Sequence, residues 1–143
     1  MMRRTAALLL VLLLTTSAAG ANTAEQKYFS AESCYRKLRG SPAKRKYRHH
    51  WLRCIEGFQS VYRHDPDGPW AAAGLYQSGV LYLELADRSG LASDRKEAAD
   101  LFARISRRFP SSRYASKAAY QMRQIGESGK APSSASKPDA VSD

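Results

Sequence analysis

From about Ala24 to Leu38, apolar side chains return every three or four residues, with Tyr28, Ala31, Tyr35 and Leu38 on one face. That spacing predicts an amphipathic helix. Gly40-Ser41-Pro42 interrupts it, and Pro42 is placed to be the first residue of the next helix. A longer stripe follows: Tyr47, Trp51, Cys54, Ile55, Phe58, Val61 and Tyr62. It predicts one continuous helix from about Pro42 to His64, ended by Asp65-Pro66-Asp67-Gly68-Pro69. A third helix begins near Pro69 and carries Trp70, Ala73, Tyr76, Gly79, Val80, Leu83 and Ala86. Asp87 to Ser93 reads as a connecting loop. Ser93 or Asp94 is then expected to cap a fourth helix, with Glu97 as the capping-box partner of Asp94. Its stripe is Ala98, Leu101, Phe102, Ile105 and Phe109. After Pro110, Ser111 or Ser112 caps a fifth helix that carries Tyr114, Ala115, Ala118, Met122 and Ile125. No run alternates as a strand does, so the expected fold is all-α, a stack of about five antiparallel helices.

The two ends differ from this pattern. Arg3 and Arg4 precede an unbroken apolar stretch, Ala6 to Leu14, and small residues follow to Ala19-Gly20-Ala21. A basic start, a short apolar core and an A-x-A exit predict a cleaved secretory signal over residues 1–21. The stretch is shorter than the roughly 20 residues that span a bilayer. The mature chain is therefore expected to start at Asn22, to be exported to the periplasm and not to be transmembrane. Its helical domain is expected over 22–126. Residues 127–143, rich in Ser, Ala, Lys and Pro, read as a disordered tail.

Charge narrows the partners. The full chain has a formal charge of +10, and about +8 remains once Arg3 and Arg4 leave with the signal. An exported protein meets little nucleic acid, so none is expected as a partner. Its anionic neighbours are lipid head groups, cell-wall polymer and acidic protein faces. Arg36, Lys37, Arg39, Lys44, Arg45, Lys46, Arg48 and Arg53 follow one another with no acidic residue between them. Such a run reads either as an anion-binding patch or as a solvated face. Arg104, Arg107, Arg108 and Arg113 carry the same two readings.

Catalytic motifs are absent from the sequence: there is no Gly-x-Ser-x-Gly, no His-Glu-x-x-His and no phosphate-cradling glycine loop. His50 and Cys54 share a helical face, but no third or fourth metal ligand accompanies them. Neither catalysis nor a cofactor is expected. The two cysteines, Cys34 and Cys54, admit a disulfide or two separate buried thiols. If the chain turns at Gly40 to Pro42, Cys34 lies level with a residue near 48. Cys54 then sits about 9 Å too far along the axis.

The chain also matches itself at a displacement of about 44 residues. Phe58 falls on Phe102, Arg63 on Arg107, Pro66 on Pro110, Trp70 on Tyr114, Ala71 on Ala115, Tyr76 on Tyr120 and Gln77 on Gln121. Cys54 falls on the small Ala98. A single period in this range marks a stacked helical array.

The run Ala72-x-x-Leu75-Tyr76-x-x-Gly79-x-x-Tyr82, then Ala98-x-x-x-Phe102 and Pro110, resembles the tetratricopeptide (TPR) consensus. Phe109-Pro110-Ser111-Ser112-Arg113-Tyr114-Ala115 with Ala118-Ala119-Tyr120 resembles a longer-period variant found in exported bacterial proteins. Arg48-x-x-Trp51-x-x-Cys54-Ile55-x-x-Phe58 and the hairpin after it resemble the N-terminal helical domain of some bacterial N-acetylmuramoyl-L-alanine amidases. TPR proteins of the Tol-Pal and outer-membrane-assembly systems are similar as well. The likeness covers about residues 25–126 and leaves out the amidase catalytic domain with its zinc ligands. It implies that Trp51, Phe58, Pro66, Trp70, Tyr76, Gly79, Tyr82, Ala98, Phe102, Pro110, Tyr114, Ala118 and Tyr120 pack the repeats. A longer loop at Asp87 to Ser93 is expected to account for the long period.

Two functions are expected on this basis. One is a non-catalytic module that binds a peptide or an envelope protein in the groove of the stack. The other is an accessory domain at the cell wall, held to peptidoglycan or another anionic polymer by Arg36, Arg39, Lys44, Arg45, Lys46, Arg48 and Arg53, without hydrolysis of its own. Self-association through the open ends of a short array is a further expectation.

Overall fold

A capping box starts the first helix. The Thr23 hydroxyl accepts from the Gln26 backbone N–H at 3.2 Å, and the Gln26 side chain accepts from the Thr23 N–H at 3.0 Å. The structure is a computed structural model and describes residues 23–129. The expected signal (1–21) and the tail beyond residue 129 lie outside the described residues. Six helices form: α1 (Ala24–Arg39), α2 (Pro42–Arg45), α3 (Arg48–His64), α4 (Ala71–Ser89), α5 (Ala92–Arg108) and α6 (Arg113–Gly129). There is no strand among the described residues.

Three expectations of detail are corrected. The helix expected over Pro42–His64 is two helices. Ser41 caps the single turn of α2 by accepting from the Lys44 N–H at 3.3 Å, and the chain becomes extended at Tyr47 before α3 begins. The break frees the Arg45 carbonyl, which accepts from the buried Trp51 indole N–H at 3.0 Å. A buried indole needs such an acceptor.

The loop expected at Asp87–Ser93 is only Gly90 and Leu91. Gly90 ends α4 in the left-handed region (φ 68°), where a side chain would be strained. The length of the repeat therefore lies in its helices, of 19 and 17 residues, and not in the connection. Finally, α6 continues through Gly126 to Gly129, so the described helical part extends past the expected boundary at 126.

Each long helix packs on its neighbours in the chain, in the order α1, α3, α4, α5, α6. Contacts that skip one helix arrange these into two layers. Tyr35 of α1 reaches Glu84 of α4, Tyr28 of α1 packs on Trp70 at the start of α4, and Tyr76 of α4 packs on Tyr114 of α6. In the other layer, Tyr62 of α3 meets Phe109 at the end of α5.

Between the layers lie two apolar clusters. Tyr28, Leu38, Trp51, Ile55, Phe58, Val61, Leu81 and Leu85 belong to the first. Leu75, Ala98, Leu101, Phe102, Ile105 and Ala118 form the second. Tyr82 and Tyr114 touch both. Close crossings need missing side chains. A Cβ on Gly74 would lie 2.7 Å from the Phe58 carbonyl, and one on Gly79 would lie 2.7 Å from the Phe102 ring.

Candidate functional site

The sequence placed its packing residues and its basic residues in separate groups, and the structure distributes them as follows. Trp51, Phe58, Ala98, Phe102 and Ala118 are fully enclosed, and Gly79 lies beneath the Phe102 ring. Trp70, Tyr76, Tyr82 and Tyr114 are half-buried. Pro66 and Pro110 are exposed, just past the ends of α3 and α5. Tyr120, the repeat partner of Tyr76, is 53% exposed. Phe102 and Tyr114 cover Tyr76, whereas no described helix follows α6 to cover Tyr120.

The expected basic patch divides into four. Arg36 and Arg39 lie on the α1–α4 side, where they line a cleft with Glu32, Tyr35, Phe58 and Gln77. The Arg39 guanidinium sits 5.6 Å over the Tyr35 ring, within cation–π range. Lys44 and Arg53 lie on the other side of α1, beside Lys37 and His50. Lys46 is exposed at the helix break, and Arg45 has a buried Nε without a hydrogen-bond partner.

Arg48 has a different task. It makes two hydrogen bonds of 2.5 Å to the carboxylate of Asp94, which is buried at the start of α5. Ser89 donates to the same carboxylate at 2.9 Å. Asp94 is therefore not the helix cap its position suggested, and Leu91 starts α5 without a side-chain cap. The Arg48 hydrogen bonds hold the Asp94 carboxyl below its ordinary value, and the same bonds raise the proton affinity of Arg48. Asp94→Ala should cost about 1–3 kcal/mol, less than a fully buried pair would, because Arg48 can rehydrate. Chemical denaturation measures it. Since the folded state depresses the Asp94 pKa, this stabilisation is complete above the unfolded carboxylate value near 4 and is lost as pH falls through the folded value.

The face made by α1, α4 and α6 gathers aromatic rings, cations and the Gln77 amide. Tyr28, Tyr35, Trp70, Tyr76 and Tyr114 follow one another across it. Tyr28 and Trp70 ring centroids are 5.0 Å apart, and those of Tyr76 and Tyr114 are 5.4 Å apart. Arg113 lies 5.0 Å and Lys117 5.5 Å from the Tyr114 ring. Burial raises the pKa of Tyr28, and burial followed by the hydrogen bond to Glu84 raises that of Tyr35. Both phenols thus stay neutral, and Tyr35 donates to Glu84. One cleft is centred on Tyr35 and Gln77, and a second is lined by Pro69, Trp70, Ala73, Ser112, Arg113 and Tyr114.

Sequence reading missed Glu84 and Gln77 because both stand among apolar residues of α4, where a polar residue reads as outward-facing. The Tyr35–Glu84 bond joins elements whose juxtaposition only packing decides. Among the described residues, no group of three or more His, Cys, Asp or Glu residues could hold a metal. Cys54 is bonded to Cys34, so it is no thiolate partner for His50. No helix among the described residues is long and apolar enough to cross a membrane. Comparisons with family models, with curated proteins and with solved structures give no match.

Proposed function

We infer that this chain is a non-catalytic, exported interaction module of TPR type, and that its α1–α4–α6 face holds an extended peptide of an envelope protein partner. One observation carries the reading. Along a single layer, half-buried rings alternate with cations and with the amide of Gln77. An extended peptide has side chains for the rings and backbone carbonyls for the donors. The two-layer packing and the Gly79–Phe102 contact support a TPR-like stack, with α1, α4 and α6 as the groove-lining helices. A periplasmic location rests on the signal-like N-terminus.

The second reading is a cell-wall accessory domain related to the amidase N-terminal region. It is favoured by Lys37, Lys44, Lys46 and Arg53, none of which forms an ion pair among the described residues. Retention of partners by the mature protein, from Asn22 onward, separates the two. The groove reading expects a discrete envelope protein retained at low and high salt, and lost in Tyr35→Ala/Gln77→Ala. Salt-sensitive co-sedimentation with purified sacculi, lost in Lys44→Glu/Lys46→Glu, would put the cell-wall reading in its place.

A further inference from the structure

On the far side of α1 from the peptide face, a cleft of about 160 Å³ is lined by Cys34, Lys37, Leu38, Lys44, His50, Arg53 and Cys54. Its polar side chains come from three helices: Lys37 from α1, Lys44 from α2, His50 and Arg53 from α3. No carboxylate lines it. None of its three cations takes part in an ion pair among the described residues.

Chain geometry explains the convergence. Lys37 stands one helical turn past Cys34, and His50 stands one turn before Cys54, so each shares a face with its cysteine. Arg53 adjoins Cys54. The Cys34–Cys54 disulfide, with Cα atoms 5.5 Å apart, holds the two faces together. Burial, then the neighbouring His49, Lys44 and Arg53, lowers the His50 pKa. Three cations and an imidazole thus border one cleft that holds no carboxylate, an arrangement a bound anion would complete.

We propose that this cleft binds a phosphate group. A carboxylate brings one charge and two oxygens, too few for two ammonium groups, a guanidinium and an imidazole. A phosphate brings up to two charges and at least three accepting oxygens, and the Arg53 fork matches its geometry. The cleft has room for such a group. The phosphate has two sources of the same chemistry, the free ion or the head group of a lipid. This site does not depend on the peptide-face reading, and its test involves none of that face.

The protein recovered after export is titrated with inorganic phosphate at constant ionic strength, while the His50 ring signals are followed by NMR. Saturable shifts are expected, with a rise in the proton affinity of His50, and chloride should produce neither. Lys37→Gln/Arg53→Gln should weaken binding about tenfold or more. Lys46→Gln/Arg63→Gln, of equal charge change but outside the cleft, should leave it unaltered. Both pairs are solvent-exposed, and circular dichroism confirms that each variant is folded. Shifts that follow chloride equally, or that survive in the first pair of substitutions, overturn the proposal. Vesicles of phosphatidylcholine with phosphatidic acid identify the source. Sedimentation with them that phosphate displaces assigns the head group, and phosphate binding without sedimentation assigns the free ion.

Discussion

Phe102→Ala is expected to lower the unfolding free energy by about 3–5 kcal/mol. The ring is fully buried at the centre of the second apolar cluster, against Gly79 and beside Tyr76, whose centroid is 5.7 Å away. Leu75, Leu101 and Ile105 are enclosed in the same cluster, so removing the ring leaves a void among side chains already held by their own packing. Small domains are stable by only about 5–15 kcal/mol, so the loss is a large fraction of the total.

The contact with Gly79 makes the prediction specific. In the native chain, Gly79→Ala would press its methyl against the Phe102 ring at 2.7 Å and should destabilise. In the Phe102→Ala background the same methyl enters the void, and Gly79→Ala should be neutral or stabilising. Denaturant unfolding of the four chains measures the coupling. Additive effects would mean that α4 and α5 do not cross at Gly79.

Breaking the Cys34–Cys54 disulfide is the second large effect. The bond closes a loop of sequence separation 20, and release of that constraint on the unfolded chain should cost about 3 kcal/mol. Cys34→Ala/Cys54→Ala and reductant on the native chain should give the same loss. Hydrogen exchange should show it concentrated in α1. That helix packs chiefly on α3, whereas α5 has neighbours on both sides. A midpoint indifferent to reductant would show that the thiols are unpaired in solution.

The stripes on α1, α3, α4, α5 and α6 were legible because burial of one face imposes a helical period, and the repeat was legible because both halves solve the same packing problem. Phe58 and Phe102 are both fully enclosed, as are Cys54 and Ala98. What escaped notice was decided by specific contacts that a periodic pattern does not carry. Nothing local breaks the chain at Lys46–Tyr47, which holds neither glycine nor proline; there the Trp51 indole bonds to the Arg45 carbonyl.

That break also explains the cysteines. The axial estimate ran one straight helix from Pro42. In the structure, α2 and the extended Tyr47 use up residues before α3 begins, so Cys54 comes level with Cys34. Asp94 looked like a cap because the sequence shows an acid near a helix start and cannot show Arg48 across the layer. The basic run likewise looked continuous, although α1, α2 and α3 turn its members to different sides.

The central claim, a peptide held on the α1–α4–α6 face, is tested most directly by site-specific photo-crosslinking in envelope extract. A crosslinking amino acid at Glu32, in the Tyr35 cleft, is compared with one at Gln59, in the cleft between α3 and α5. The account predicts a discrete protein adduct from position 32 and none from position 59. An adduct from position 59 alone, or none from position 32, would contradict it.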